Sequence, residues 1–192
     1  MGPRIQRRAF CVFIVANDIG AHTTQQRQIT IRKLRESDFE SAIRLFEAVA
    51  AERTWIGTEP GFDRDSYRKG WRRVLAGEWG AVFVALDAQQ VIGFIGVHPH
   101  EEYGHVIGML VDHAYRGRGV GESLLKQALL WAHERDLPDV SLLVFPHNER
   151  AIALYRKLGF EQREYYSNDV TRQTGDVWDT MLMTKTLKDL RP

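Results

Sequence analysis

At 192 residues, with 44% apolar and 27% charged side chains, the chain is long enough to bury one sizeable core and short for two. Its 26 basic and 25 acidic residues leave a formal charge of +1, so no global field marks nucleic acid or an anionic membrane as the partner. Cys11 is the single cysteine, which excludes an internal disulfide and a cysteine-built metal site and fits a reducing, cytoplasmic setting.

Residues 1–28 show no clean period and are polar over 17–28; they read as an extension ahead of a domain expected over 29–187. Inside that extension an apolar run, 9–16, follows Arg4, Arg7 and Arg8 as in a leader, but it is far short of a membrane span and lacks a small-residue cleavage context. Ile29, Ile31 and Leu34 alternate as in a half-buried strand. Ser37 with Glu40 three residues on predicts a capping box and a helix to about Glu52, its buried stripe being Ala42, Ile43, Leu45, Phe46 and Val49. Gly57, Pro60 and Gly61 predict a loop over 53–64, followed by a second helix over 65–75. Residues 81–86, 91–97 and 105–111 are rich in Val, Ile and Phe and predict consecutive antiparallel strands, the first two joined by a short turn. A helix over 119–135, a strand over 140–145, a helix over 148–158 and strands over 160–166 and 177–185 complete the reading. No internal repeat interrupts this order, which predicts an α+β fold with helices on both faces of one sheet.

The strongest chemical signal is the run Val111-Asp112-His113-Ala114-Tyr115-Arg116-Gly117-Arg118-Gly119-Val120-Gly121, where a strand ends, glycines turn and a helix begins. Glycines let the backbone approach an anion closely, and the positive end of the helix favours one placed there. Arg116 and Arg118 add the means for charge-assisted contacts. A P-loop needs Lys-Ser or Lys-Thr after its last glycine, whereas Glu122-Ser123 stands here. A dinucleotide fingerprint opens a βαβ unit with a different glycine spacing, so both phosphate-binding rivals fit poorly.

Arg116-x-x-Gly119-x-Gly121 resembles the R/Q-x-x-G-x-G/A signature of the GCN5-related N-acetyltransferase (GNAT) superfamily. The run from Val144 to Phe160, with Asn148, Ala151, Tyr155 and Gly159-Phe160, looks like that superfamily's closing motif. The resemblance spans about residues 29–185 and implies a central, splayed, mostly antiparallel sheet of six to seven strands. It further implies acetyl-coenzyme A as cosubstrate and no metal. The backbone of Met109, Leu110 and Val111 would pair with the pantetheine arm; Arg116, Gly117, Arg118, Gly119, Val120 and Gly121 would hold the pyrophosphate. Asn148 and Ala151 would complete the cofactor contacts, with Tyr155 as general acid toward the departing thiolate. Each has a plainer reading beside it: Asn148 is a good helix N-cap, Tyr155 an amphipathic core aromatic, Gly159 the residue after a helix end.

Many relatives of this kind carry a carboxylate base on the strand before the phosphate loop, and none stands between Gly104 and Val111. His105 is the titratable group there, and Glu52 and Glu59 flank the irregular segment after the first helix, where they are candidates to bind an ammonium or act through water. Trp55 and Phe62 are candidates to wall an acceptor cleft. His98, His100, Glu101, Glu102 and His105 read as a solvated turn, and Arg68, Lys69, Arg72 and Arg73 as a basic helical face that would attract an acidic acceptor. The expected activity is acetyl transfer to the primary amine of a small molecule, amino acid or protein N-terminus, with a non-catalytic acyl-coenzyme A sensor as the alternative. Homodimers are common among the resembling proteins, although no apolar stripe here marks an interface.

Overall fold

The computed structural model describes residues 29–187; the extension over 1–28, with its apolar run, lies outside them. Seven strands form one sheet in the order β1-β2-β3-β4-β5-β7-β6. Their ranges are β1 Thr30–Lys33, β2 Ala81–Asp87, β3 Gln90–His100, β4 Gly104–Val111, β5 Asp139–Val144, β6 Glu161–Thr171 and β7 Val177–Thr186. Four helices accompany them: α1 Phe39–Ala51, α2 Arg64–Leu75, α3 Val120–Glu134 and α4 Glu149–Lys157. Every neighbouring pair is antiparallel except β4 and β5, which α3 connects as a crossover. The mixed α+β architecture and the mostly antiparallel sheet are as expected.

The entry to α1 differs from the expected capping box at Ser37. A short 3-10 turn, Glu36–Asp38, comes first, and Asp38 is the anchor. Its carboxylate accepts from the Arg35 backbone N–H at 2.7 Å and from the Arg32 guanidinium at 2.7 and 2.9 Å. Burial works against ionisation of Asp38, and the hydrogen bonds from Arg32 and Arg35 outweigh it, holding the carboxyl below its usual range. A serine hydroxyl offers no such charge, which is why the aspartate wins the role. α2 starts at Arg64 because Asp63 caps it, accepting from the backbone N–H groups of Asp65 and Ser66 at 3.0 and 3.2 Å. β6 runs to Thr171, beyond the expected end at Tyr166, because its polar outer half is held to β7 by Tyr165 Oη donating to Asp179 at 2.7 Å and by Thr180 donating to Asp169 at 2.5 Å.

Side-chain alternation on β3 assigns the two faces. A Cβ at Gly93 would lie 3.1 Å from Leu124 of α3, whereas the Phe94 ring meets Phe46 of α1 and Trp71 of α2 at centroid distances of 5.9 and 5.8 Å. α3 therefore covers one face and α1 with α2 the other. Phe46 is fully buried and touches the rings of Phe62 and Tyr67 at 4.6 Å each, so it knits α1, the segment before α2, and the sheet into one aromatic cluster. Phe46→Ala is expected to lower unfolding free energy by about 3–5 kcal/mol, measured by urea titration.

Candidate active site

The distinguishing geometry is the boundary between β4 and β5. These strands pair in parallel at Val106 with Ser141, the one register pair between them among the described residues. Beyond it, residues 107–111 of β4 and 142–144 of β5 part, and the β5-side edge of β4 has no pairing strand among the described residues. Unpaired backbone at the middle of a sheet is a liability unless something extended occupies it. Met109, Leu110 and Val111 lie on this parted stretch.

The chain leaves Val111 through a tight turn. Asp112 accepts from the Ala114 N–H at 2.8 Å, and Tyr115 Oη donates to Asp87 at the end of β2 at 2.6 Å, pinning the turn to the sheet. Gly117 and Gly119 have φ of 74° and 80°, the left-handed region that glycine enters without a Cβ penalty. Gly119 is the N-cap of the 15-residue α3 and has no side chain to cover the N–H groups of the first turn, where Val120 and Gly121 sit. A concave set of backbone donors at the positive end of a long helix results.

Arg116 does not point its charge at that concavity. Its guanidinium is buried, with 1% of the side chain exposed, and is gripped bidentately by Glu52 at 2.8 and 2.5 Å while Nε donates to the Val111 carbonyl at 3.0 Å. Arg116 therefore bolts the turn to the end of α1. Arg118 is exposed and lies over the Tyr115 ring at 5.5 Å, leaving it the side-chain cation available at the turn.

On the other side of the parting, Asn148 is buried and accepts from the Ala151 N–H at 3.3 Å as the N-cap of α4, the plainer of its two readings. Ala151, Ile152 and Tyr155 form the buried face of α4. Tyr155 is 1% exposed, its ring 5.7 Å from that of Phe160, and among the described residues no side-chain or backbone group hydrogen-bonds its hydroxyl. Burial pushes its pKa well above the ordinary phenol value, so the hydroxyl keeps its proton. Lys157 at the end of α4 reaches Glu122 in the first turn of α3 at 2.6 Å, and Lys126 joins at 2.8 Å; the two ammonium groups hold the Glu122 carboxyl down at about 2.

The segment between α1 and α2 closes around the same region. Its principal anchor, Arg172 on the turn after β6, went unremarked in the sequence because one arginine in a polar hairpin carries no local pattern. Its buried guanidinium donates to the carbonyls of Ile56 and Arg53 at 2.8 and 3.1 Å, pairs with Glu59 at 2.8 Å and lies 4.4 Å over the Trp178 ring. Glu59 also accepts from the Gln173 N–H at 3.3 Å and from Arg53 at 3.3 Å, so its carboxylate is spent on holding the segment. Phe62 packs into the aromatic cluster with Phe46 and Tyr67, and Trp55 lies 6.1 Å from the His147 ring, whose Nε2 contacts the Thr54 carbonyl at 2.9 Å.

His105 stands apart. It precedes the Val106–Ser141 join and lines a hollow with Trp131 of the last turn of α3 and Arg135 just beyond it, whereas the glycine turn is at the opposite end of that helix, about 20 Å away at 1.5 Å per residue. The expected candidates thus separate: the β4 backbone and the glycine turn adjoin the parting, Tyr155 lies on the buried face of the helix that follows β5, and His105 and Glu59 are placed elsewhere or occupied.

Two measurements probe this arrangement. Arg116→Ala or Glu52→Gln is expected to cost about 2–3 kcal/mol by leaving a desolvated partner, while Arg116→Met with Glu52→Leu recovers most of it, as read from urea midpoints. His98, on β3 facing α2, is depressed from 6.5 to about 4 by burial first and then by the charges of His100 and His105. The unfolded chain therefore binds a proton there that the folded chain refuses; the stability is intact above 6.5 and is lost as pH falls from 6.5 toward 4, by on the order of 3 kcal/mol. Thermal midpoints of His98→Gln across this range should show a flatter profile than the parent.

The Acetyltransferase (GNAT) family profile matches residues 38–160, a span holding the parting, the glycine turn, α3 and α4. An acetyltransferase of Sodalis glossinidius is 30% identical over 136 residues, covering 70% of this chain and 88% of that protein. An uncharacterized N-acetyltransferase of Methanocaldococcus jannaschii is 28% identical over 148 residues, covering 70% of this chain; the chain spans 62% of that relative's length. Among solved structures, a GNAT phosphinothricin acetyltransferase from Sinorhizobium meliloti, in complex with AcCoA, superposes with a TM-score of 0.75 at 18% identity, covering 85% of this chain and 92% of that one. With its parted sheet, its glycine turn and a family match that contains both, the chain belongs to the GNAT acetyltransferase family.

Proposed function

We propose that the chain transfers an acetyl group from acetyl-coenzyme A to the primary amine of a small molecule, amino acid or protein N-terminus. The observation that carries this reading is the unpaired edge of residues 107–111 leading directly into the bare N-terminus of α3. An amide-bearing arm laid beside Met109, Leu110 and Val111 replaces the missing strand, and a diphosphate then meets the N–H groups of residues 117–121. Arg118 adds charge from outside; Arg116 acts by holding the turn through Glu52. Acetyl-coenzyme A supplies an activated thioester, so no covalent enzyme intermediate is needed.

Tyr155 is the candidate general acid: its phenol stays protonated, and its hydroxyl has no hydrogen-bond partner among the described residues. A thiolate leaving beside it takes that proton, and the developing oxyanion is met by a backbone N–H of β4. On the α1/α2 face of β4 stand Val106, Gly108 and Leu110, none of them titratable, and both Glu52 and Glu59 are committed to arginines. The amine accordingly loses its proton to water before attack, and kcat/KM should climb with pH up to the acceptor's own pKa. The competing reading, a non-catalytic acyl-coenzyme A sensor, draws on the lack of a carboxylate on β4.

Thiol release with a panel of amines, amino acids and peptides separates the two: cofactor binding with no coenzyme A released favours the sensor. For the enzyme, Tyr155→Phe is expected to lower kcat by roughly 10²-fold while the dissociation constant for coenzyme A moves by less than about twofold. An unchanged kcat would remove Tyr155 from the chemistry.

A further inference from the structure

On the face of the sheet opposite α3, a cavity of about 350 Å³ lies between α2 and strands β2 to β4, within the size range of small-molecule sites. Its walls are aromatic, from Phe46, Tyr67, Trp79 and Phe94, and its floor is made by Gly96 and Gly108, which face each other in register across β3 and β4. Neither crowding nor backbone conformation demands glycine at position 96. Its φ is not left-handed, and a Cβ there would meet Val82 at 3.6 Å, an ordinary contact. Gly70 on the α2 wall is similar, with 3.4 Å to Trp79. The recess exists because these side chains are missing, not because the fold needs them missing.

The two ends of the cavity differ. Gly108 immediately precedes Met109 on the parted stretch of β4, so this end adjoins the reaction centre. Two residues beyond Gly96 in the other direction lies His98, its ring 5.0 Å from that of Trp79, over which the Arg73 guanidinium sits at 5.4 Å. Lys69, one turn before Arg73 on α2, also lines the cavity. The rest of the basic face is neutralised: Arg64 pairs with Glu47, Arg68 with Glu40 and Asp65, and Arg72 with Glu36. Among the described residues, Arg73 has one ion pair, a long 3.8 Å contact to Glu78, and Lys69 has none.

We propose that this cavity receives the body of the acceptor: a primary amine on an aromatic or branched apolar group whose far end carries a carboxylate or another anion. The assignment rests on the acetyl-transfer reading and gives it a substrate class. The amine end lies at Gly108 beside the thioester arm, the apolar body covers the glycine floor, and the anion meets Lys69 and Arg73. A polyamine, which would set a second ammonium against those cations, is excluded by like charge.

Calorimetry on the full chain saturated with coenzyme A tests this, using phenethylamine, its para-carboxy derivative and spermidine as probes. The carboxylated amine should bind about tenfold tighter than phenethylamine, and spermidine should not saturate. Gly96→Leu should weaken both aromatic amines at least about tenfold, with coenzyme A affinity within about twofold of the parent. Lys69→Ala with Arg73→Ala, both on the exposed surface, should erase the preference for the carboxylate; this variant decides the question alone if Gly96→Leu fails to fold by far-UV circular dichroism. A folded Gly96→Leu that binds the amines like the parent, a preference that survives loss of both cations, or spermidine binding as tightly as the aromatic amines overturns the proposal. Coenzyme A binding with no aromatic amine bound overturns it while leaving the cofactor reading intact, and absence of coenzyme A binding overturns both.

Discussion

The parting of β4 from β5 is the constraint on which the molecule is organised. Seven strands can satisfy their backbone groups by lying side by side, yet here the parallel pair meets at Val106 and Ser141 and then diverges. The crossover through α3 makes this geometry available, because a parallel neighbour must be reached by a long connection that also sets where the next strand begins. The same connection starts at Gly119, so the donors of a helix N-terminus and the donors of an unpaired strand edge are consecutive in the chain. Two kinds of backbone donor thus stand together, those of an unpaired strand edge and those of a helix N-terminus, which is what the proposed recognition of a diphosphate on an amide-bearing arm draws on.

A set of ion pairs surrounds this opening. Arg116 is clamped to Glu52 and ties the glycine turn to α1, Lys157 ties α4 to α3 through Glu122, and Arg172 ties the β6–β7 hairpin to the segment that follows α1. The buried members, Arg116 and Arg172, are bidentate or multiply bonded, which is where arginine is preferred over lysine. These contacts connect parts of the chain remote in sequence and lie at the rim, so the apolar core is left to position helices while charge positions the rim.

Much of this was legible in the residues and some was not. Alternation and helical spacing placed the strands and helices, since burial on one face is a repeated local signal. The glycine turn was legible because left-handed backbone at Gly117 and Gly119 has few substitutes. Arg116 reads in the sequence as a cation for a phosphate, and in the fold its guanidinium pairs with Glu52: a cation beside glycines looks the same in sequence whether it faces outward or inward, and its partner stands 64 residues away. Glu59 was legible as a charged residue near the site, but its partner Arg172 comes from the far end of the chain and turns a candidate base into a tie. Ser37 lost the start of α1 to Asp38 because Arg32 lies within reach, a contact that depends on the path of the chain out of β1.

The single join between β4 and β5 has a mechanical meaning. On one side of it β1 to β4 are joined by antiparallel ladders, and on the other β5 to β7 are joined in the same way, with register shifts at Ala85/Leu86 in the first set and at Gln162/Glu164 and Tyr166/Val170 in the second. The sheet thus consists of two ladder sets that share one register pair, with α3 as the connection between them. With one backbone tie between the sets, the width of the wedge is left to side chains that bridge them, Lys157 to Glu122 and Arg172 to Glu59.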